Sequence, residues 1–287
     1  MLADYHVHSE FSDDSKTPME MQIEKAIELG LDEICFTDHV DYGIKDDWSV
    51  DKIRRLDFQG ETNSIDNCDI LCNVHYPEYF LKLYRMKKTY DGRIKVKNGL
   101  EFGIQHHTID SYLDILNRYG DQIDFILLSI HQVNDLEFWT QEFQTGKTQD
   151  EYNNAYYDEM LKVVKDFNGY DILSHVDLIS RYDKQGIYPF EKIKDKLIEI
   201  FKIVIANSKG IEINTSSWHY KLQDTTPSRN ILKLYYDLGG KIITIGSDAH
   251  KPEFIGDHFN DAVKILKDIG FKQYYTFDHH VPIAHDL

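Results

Sequence analysis

The chain has few cysteines, few basic residues and no long apolar run, and each scarcity excludes a class of protein. Three cysteines among 287 residues, Cys35, Cys68 and Cys72, argue against a disulfide framework and favour a reducing cytoplasm. No stretch approaches the roughly 20 apolar residues of a membrane-spanning helix. The chain begins MLADYHVH, without the basic and apolar regions of a signal peptide. We therefore expect a cytoplasmic protein with no membrane partner.

Basic residues are outnumbered, since 32 Lys and Arg against 49 Asp and Glu give a formal net charge of −17. Such a surface repels a polyanionic backbone, so we expect no nucleic-acid partner. A small phosphorylated substrate is not excluded, because bound divalent cations can invert the potential of a site. The sequence carries no signal for an oligomeric state.

Seven short apolar runs each end in residues that commonly ligate metals. These ends are His6-Val7-His8, Asp38-His39, Glu101, His131, His175, Glu212/Asn214 and Asp248-Ala249-His250. The runs are typical of buried parallel strands, and the amphipathic stretches between them are typical of covering helices. Because the parallel strands of a barrel end on one rim, a barrel would gather these residues into one pocket. An open doubly wound sheet is the alternative, but it binds ligands only at a switch point.

The pattern therefore predicts an α/β fold with a (β/α) barrel. We expect strands near 2–8, 32–38, 94–101, 123–130, 171–174, 210–214 and 241–246, with 271–277 as a peripheral eighth. Helices are expected near 18–29, 108–119, 151–167, 189–207, 227–238 and 258–269. We treat residues 1–287 as a single domain. The region 43–93 breaks the rhythm, turns helical at about 77–90, and is predicted to be a lid or specificity insertion.

The ligand-type residues are spaced for chelation. His6 and His8 are two positions apart, which places both side chains on one face of a strand, and Asp248 and His250 repeat this spacing. Imidazole and carboxylate together suit zinc, iron or manganese. Each motif alone is a weak signal, but His or carboxylate at the end of nearly every strand predicts a metal centre.

The order of these motifs resembles that of a known family. HVH, TDH, GLE, SIH, SH and SDAH occur in the order found in the PHP (polymerase and histidinol phosphatase) superfamily, over essentially the whole chain. HVDLISRY at 175–182, EINTSS at 212–217, the chain length and the long insertion resemble its histidinol-phosphate phosphatase branch. The resemblance implies a distorted (β/α)7 barrel. It also implies metal-dependent hydrolysis of L-histidinol phosphate to L-histidinol and inorganic phosphate, a step of histidine biosynthesis.

By this resemblance, two to three divalent metal ions (Zn, Fe or Mn) are expected. Glu101 would bridge the first two, since each of its oxygens can take a metal. The first site would use His6, His8, Glu101 and Asp248, the second Glu101, His131 and His175, and the third His39, His250 and Asp13, with Asp14 as an alternative to Asp13.

The expected chemistry follows from two ions held close together. Two metal ions roughly 3.5–4 Å apart can hold a bridging hydroxide and clamp a phosphate, so no separate strong base is required. The leaving alkoxide would take its proton from Asp248 or His39, and the sequence does not choose between them. Arg181 is the predicted phosphate clamp, because a guanidinium matches phosphate in a bidentate way. Arg54 and Arg55 are a second choice.

Further substrate contacts are expected from His107, Asn214 and Tyr42. Tyr42 belongs to a group after TDH whose carboxylates and rings could recognise the cationic amine of histidinol: Asp41, Tyr42, Asp46, Asp47 and Trp48. A family phosphoesterase acting on another small phosphomonoester or on nucleotides is the alternative function. A barrel that binds metal without catalysing a reaction is a third hypothesis.

Overall fold

The computed structural model describes residues 1–47 and 72–287. Its strands are β1 (Ala3–Val7), β2 (Glu33–Phe36), β3 (His39–Val40), β4 (Lys95–Gly103), β5 (Phe125–Ser129), β6 (Gln132–Val133), β7 (Leu136–Glu137), β8 (Ile172–Leu173), β9 (Gly210–Asn214), β10 (Ile243–Gly246), β11 (Gln273–Asp278) and β12 (Val281–Asp286). Its α-helices are α1 (Met19–Glu28), α2 (Tyr76–Thr89), α3 (Ile109–Tyr119), α4 (Gln149–Asp166), α5 (Phe190–Ala206), α6 (Ser216–His219), α7 (Arg229–Asp237) and α8 (Phe259–Ile269).

Parallel strands form a nearly closed barrel in the order β1-β2-β4-β5-β8-β9-β10, with β3 paired to the end of β4. The barrel closes where Val7 bridges Ala249, and the backbone N–H of His8 donates to the Ala249 carbonyl at 3.0 Å. Each of the seven predicted strand positions overlaps one strand of this path, and β4 extends two residues beyond its predicted end. The predicted (β/α) barrel is confirmed. The predicted peripheral strand is β11, which pairs antiparallel with β12.

Two helices show how their bounds follow from the local sequence. The helix α1 follows Pro18 and is succeeded by Gly30, whose φ of +75° is a conformation that glycine adopts without strain. The helix α4 begins with a capping box, in which Thr148 and Glu151 satisfy each other's backbone N–H groups. Among the described residues, no helix is long and apolar enough to cross a membrane.

A small apolar cluster from four barrel strands and β11 fills the barrel interior at the end opposite the carboxyl ends of the strands. Its buried members are Ala3, Tyr5, Cys35, Phe125, Leu127, Ile172 and Phe277. Phe125 packs against both Tyr5 and Phe277, with ring centroids 4.9 Å apart in each pair. Since apolar rings occupy this end, the interior positions at the carboxyl ends of the strands are left for polar residues.

An extra residue in β1 turns two neighbouring side chains toward the interior. Asp4 pairs with Ile34 and Val7 pairs with Phe36. Between these two pairs, β1 advances three residues while β2 advances two. Such a bulge changes which side chains share a face. Tyr5 therefore joins the apolar cluster while His6, the next residue, also points inward to Glu101.

Part of the region predicted as an insertion belongs to the outer layer of the barrel. The helix α2 buries Tyr79, Phe80 and Leu83, and the Tyr79 hydroxyl donates to the carbonyl of Gly99 at 2.8 Å. The lid itself stays a prediction, because residues 48–71 lie outside the described residues. The same holds for the roles expected of Trp48, Arg54 and Arg55.

Candidate metal centre

The buried carboxylate of Glu101, near the end of β4, stands at the centre of a ring of imidazoles. Its Oε2 lies 3.1 Å from His6 Nε2 and 3.1 Å from His39 Nδ1. Its Oε1 lies 3.1 Å from His131 Nε2 and 2.8 Å from His175 Nε2. The two oxygens therefore face two different sets of nitrogen atoms, as a bridging carboxylate must.

The first group of ligand-type atoms has the spacing of a tetrahedral zinc site. Asp248 Oδ1 lies 3.6 Å from His6 Nε2 and 3.3 Å from His8 Nε2, and His8 Nε2 lies 3.5 Å from Glu101 Oε2. Atoms bound to zinc at about 2.0–2.1 Å in a tetrahedron are about 3.3 Å apart. Burial lowers the pKa of His8 to about 3, so this imidazole is neutral and its lone pair is available.

Several buried atoms of this centre have no hydrogen-bond partner. They are His6 Nε2, His8 Nε2, His39 Nδ1, Glu101 Oε2 and His250 Nε2. Buried polar atoms are nearly always satisfied, so this concentration of unsatisfied atoms needs a physical explanation. Divalent cations would satisfy all of them, and the donor set of imidazole and carboxylate suits zinc, iron or manganese. The residues present therefore fit the predicted metals.

A second group surrounds the other oxygen of Glu101. Triads of ligand atoms within 4.8 Å of one another are formed by His6, Glu101 and His175, and by His39, Glu101 and His131. His131 and His175 thus reach Glu101 from two neighbouring strand ends, as expected for a second ion. His6 and His39 are close enough to share in this site, so the assignment of each imidazole to one ion stays a prediction.

The third group contains Asp14 where Asp13 was expected. Asp14 Oδ2 lies 3.0 Å from His250 Nε2 and 3.5 Å from His39 Nε2. Asp13 Oδ1 instead lies 2.6 Å from the Nζ of Lys45 and is held in that ion pair. Partial desolvation raises the pKa of Asp14, whose side chain is 53% exposed, but His39 and His250 outweigh this effect and hold that pKa well below its usual range. This geometry favours Asp14, the stated alternative, over Asp13, and the third-site ligand stays a prediction.

The remaining nitrogen of several ligand-type histidines is fixed by a neighbouring oxygen. His6 Nδ1 lies 2.7 Å from Glu212 Oε1, and His131 Nδ1 lies 2.7 Å from Asp41 Oδ1. His8 Nδ1 lies 3.1 Å from the hydroxyl of Ser12, which itself donates to Asp38. Such partners set the tautomer, so that Nε2 presents its lone pair to a metal.

These supporting roles were missed or misread in the sequence. Asp41 was expected to meet the substrate amine, but it is buried between His131 and Lys45, with Lys45 Nζ 2.8 Å from its Oδ2. Glu212 was assigned no definite role, although it shares the face of Asn214 on β9. The sequence signal for such a role was the position of Glu212 itself, a carboxylate on the same strand face as the predicted site residue Asn214.

Arg181 reaches the same cavity from the 3-10 turn Leu178–Tyr182. Its Nη2 donates to Ser216 Oγ at 2.6 Å and to Asp248 Oδ2 at 3.2 Å. Its guanidinium carbon also lies 4.1 Å from the centre of the Tyr220 ring. The cavity has a volume of about 330 Å³ and is lined by most of the ligand-type residues. The predicted phosphate clamp is therefore placed beside the predicted metals.

Three predicted substrate contacts do not line this cavity. His107 is half exposed and pairs with Asp135 at 3.0 Å. The Tyr42 hydroxyl bonds to Asp47 at 2.8 Å, and its ring packs edge-on against Tyr112. Asn214 is buried beneath the centre, where its Nδ2 donates to Glu212 at 3.1 Å. Asn214 thus lies beneath the ligand-type residues and the other two lie outside the cavity, and their roles in substrate binding stay predictions.

Imidazoles and carboxylates converging at the carboxyl ends of parallel barrel strands are the arrangement of a metal-dependent hydrolase. A family model described as "PHP domain" matches residues 4–216, and the chain belongs to this family. The predicted family membership is confirmed. The match spans the strands that carry all the predicted ligands except Asp248 and His250.

Similar relatives and solved structures span 90% or more of the chain. "Histidinol-phosphatase" of Lactococcus lactis is 31% identical over 284 residues, covering 96% of this chain and 93% of the relative. "Probable histidinol-phosphatase" of Clostridium acetobutylicum is 30% identical, covering 95% of each. A crystal structure of histidinol phosphate phosphatase from Lactococcus lactis, complexed with zinc, L-histidinol and phosphate, superposes with a TM-score of 0.80 at 28% identity and 98% coverage of both chains. A structure from Listeria monocytogenes at 21% identity, covering 90% of this chain and 99% of its own, has a TM-score of 0.73 and supports the fold alone.

Proposed function

We propose that this chain hydrolyses L-histidinol phosphate to L-histidinol and inorganic phosphate, with two or three divalent metal ions held around Glu101. The arrangement of Glu101 carries the proposal, because its two oxygens face separate sets of imidazoles. Its Oε2, His6 Nε2 and His39 Nδ1 are moreover buried without a hydrogen-bond partner. The named relatives support the substrate, and the crystal structure of one of them contains zinc, L-histidinol and phosphate.

The bound ions would supply an activated water and neutralise the charge of the phosphate. The residues of the chain set the geometry in which this occurs. Glu101 fixes the separation of two sites, and Glu212 and Asp41 hold His6 and His131 in the tautomer that offers Nε2. Arg181, tethered by Ser216 and Asp248, directs its guanidinium at the phosphate oxygens.

The surroundings of the two candidate proton donors differ. Burial raises the pKa of Asp248, but His6, His8 and Arg181 hold it well below its usual range, so Asp248 is an ionised ligand. Burial lowers the pKa of His39, yet Asp14 and Glu101 raise it well above 6.5. We therefore propose His39, which holds its proton in the metal-free centre, as the donor to the leaving alkoxide. Asp14, His250 and His39 Nε2 are the atoms that would hold a third ion, and His39 would not serve as the donor when it is such a ligand.

The proposal also covers the native metal, the pathway and the cellular location. We propose zinc, iron or manganese as the native metal, a place in histidine biosynthesis and a cytoplasmic location. The formal net charge of −17 supports a small substrate over a nucleic acid.

A substrate panel tests the function. Metal-depleted enzyme would be supplied with Zn²⁺, Fe²⁺ or Mn²⁺ and assayed with L-histidinol phosphate, AMP, glycerol 2-phosphate and single-stranded DNA. We expect phosphate release to need metal and kcat/KM to be highest for L-histidinol phosphate. A preference for AMP would favour the nucleotide alternative, and no release from any substrate would leave only the metal-binding hypothesis.

A further inference from the structure

A second cavity lies behind the turn that carries Arg181. It has a volume of about 320 Å³, close to the 330 Å³ of the cavity at the metal centre. The 3-10 turn Leu178–Tyr182 separates the two, since Leu178 lines the first cavity, Ile179 lines the second and Arg181 lines both. A ligand in the second cavity would therefore touch this turn from the side away from the metal centre.

Much of the wall of the second cavity is apolar. Three buried isoleucines line it, Ile179, Ile193 and Ile231, together with the rings of Tyr188 and Phe190. Cavities that bind small molecules have volumes of about 300–1,000 Å³ and mainly apolar walls with a few polar groups. This cavity therefore suits a small ligand with a hydrocarbon body.

Two buried polar groups on the same wall lack partners. Asp177 is 7% exposed, and its Oδ2 accepts from the Ser228 N–H at 2.9 Å, but its Oδ1 has no hydrogen-bond partner. Tyr157 is 1% exposed, and its hydroxyl forms no hydrogen bond with residues 1–47 or 72–287. The two groups are neighbours, because burial and the carboxyl group of Asp177 raise the pKa of Tyr157 well above its usual value. Buried polar groups are nearly always satisfied, so this pair requires an explanation.

The other two carboxylates that line this cavity are already satisfied. Asp183 Oδ2 accepts from Gln149 Nε2 at 3.0 Å. Asp224 Oδ1 pairs with Arg229 Nε at 3.2 Å. Asp177, by contrast, forms no ion pair within the part of the chain that the structure describes. Its Oδ1 is therefore the acceptor that this cavity leaves for a ligand.

An ammonium group complements these two atoms. It has three donors and no acceptor, whereas the carboxyl oxygen of Asp177 and the hydroxyl oxygen of Tyr157 can both accept. An anion would be repelled by the carboxylate, and a wholly apolar ligand would leave both groups unsatisfied.

We infer that the second cavity is a binding site for a small primary amine with an apolar body, separate from the site of hydrolysis. The ammonium group donates to Asp177 Oδ1 and to the hydroxyl oxygen of Tyr157. The apolar body packs against Ile179, Ile193 and Ile231.

Calorimetric titration of the zinc-loaded protein with 2-phenylethylamine tests this site, together with a crystal structure of the complex. We expect the amine nitrogen within hydrogen-bond distance of Asp177 Oδ1 and the Tyr157 hydroxyl. Binding of 2-phenylethanol should be about tenfold weaker, because a hydroxyl replaces the charged donor. Phenylacetate should not bind in this cavity.

Two substitutions that preserve the shape of the cavity test the two contacts. Tyr157→Phe removes a hydroxyl without a partner, so thermal stability should not fall, while amine binding should weaken about threefold. Asp177→Asn should weaken amine binding about tenfold or more. If the amide oxygen keeps the Ser228 N–H, the NH2 group takes the place of Oδ1 and opposes the ammonium donors. Tyr170→Phe is the matched control, since the Tyr170 hydroxyl is also buried and unpartnered but lies outside this cavity, and amine binding should stay as in wild type.

Three results would overturn the inference. The first is a crystal structure with the amine only in the cavity of the metal centre. The second is an ordered water between Asp177 and Tyr157, with no measurable heat of amine binding. The third is an amine affinity that is the same in Tyr157→Phe, Asp177→Asn and wild type. Phosphate release from L-histidinol phosphate is measured separately, so none of these results would bear on the proposed function.

Discussion

The substitution Glu212→Gln is the sharpest test of how the protein prepares its metal centre. Glu212 is fully buried on β9 and touches four donors. Its Oε1 lies 2.7 Å from His6 Nδ1, and its Oε2 accepts from Ser174 Oγ at 2.7 Å, the His175 N–H at 3.2 Å and Asn214 Nδ2 at 3.1 Å. Glutamine matches the size of glutamate but replaces one oxygen with an NH2 group.

The hydrogen bonds around position 212 determine how this substitution would affect zinc binding. If the amide oxygen keeps the three donors at Oε2, the NH2 group faces His6 Nδ1 and turns it into an acceptor. The proton then sits on His6 Nε2, the atom that faces Glu101 and Asp248. Losing such a partner costs about 10–100-fold in metal affinity, which corresponds to about 1.4–2.8 kcal/mol. Because the tautomer itself is reversed, we expect a loss at the upper end of this range.

The assay is zinc competition against a chromophoric chelator, with unfolding of the zinc-free protein measured in parallel. Glu159→Gln is the matched control, since Glu159 is 5% exposed and accepts from the His106 N–H at 2.7 Å, away from the centre. Both variants should lose stability, but only Glu212→Gln should lose zinc affinity. Equal zinc affinities in the two variants would refute the tautomer argument.

Three further predictions concern the same centre. Asp14→Asn should remove one bound ion per chain by metal analysis, whereas Asp13→Asn should leave the metal content unchanged; equal contents would contradict the choice of Asp14 over Asp13. Arg181→Ala should lower kcat/KM about 10–100-fold, equally for L-histidinol phosphate and glycerol 2-phosphate, and a loss restricted to one substrate would exclude a phosphate clamp. Burial lowers the pKa of His131, but Glu101 and Asp41 raise it to about 9. The metal-free imidazole is then protonated at pH 7 and must lose its proton to bind an ion, so zinc affinity should rise with pH up to about 9. Affinity that is constant between pH 6 and 9 would contradict this.

The architecture could be predicted because its signals are local. Most barrel strands are short buried runs rich in apolar residues. The ligand-type residues lie near the strand ends, as at Glu101 in the last part of β4 and at His131 just after β5. Parallel strands must end on the same rim, so the spatial meeting of distant residues followed from the fold class. The family resemblance then gave the ligand order.

Prediction from the sequence was weakest where the direction of a side chain decides the role of the residue. Asp13 and Asp14 are neighbours in one turn, and only the Lys45 ion pair shows which of them faces away from the imidazoles. Asp41 was misread because its partner His131 lies 90 residues away. The bulge in β1, which turns Tyr5 and His6 to the same side, leaves no mark in the alternation of the sequence.

The apolar cluster that closes one end of the barrel has a consequence for the order in which products leave. Phe277 and Phe125 close that end, so reactants enter and leave at the carboxyl ends of the strands. Phosphate would bind deepest, against the fully buried Glu101, and the alcohol would lie outside it, near the exposed Trp139. The alcohol must then depart first and phosphate last. In product-inhibition kinetics, phosphate would therefore compete with substrate, whereas the alcohol would inhibit noncompetitively.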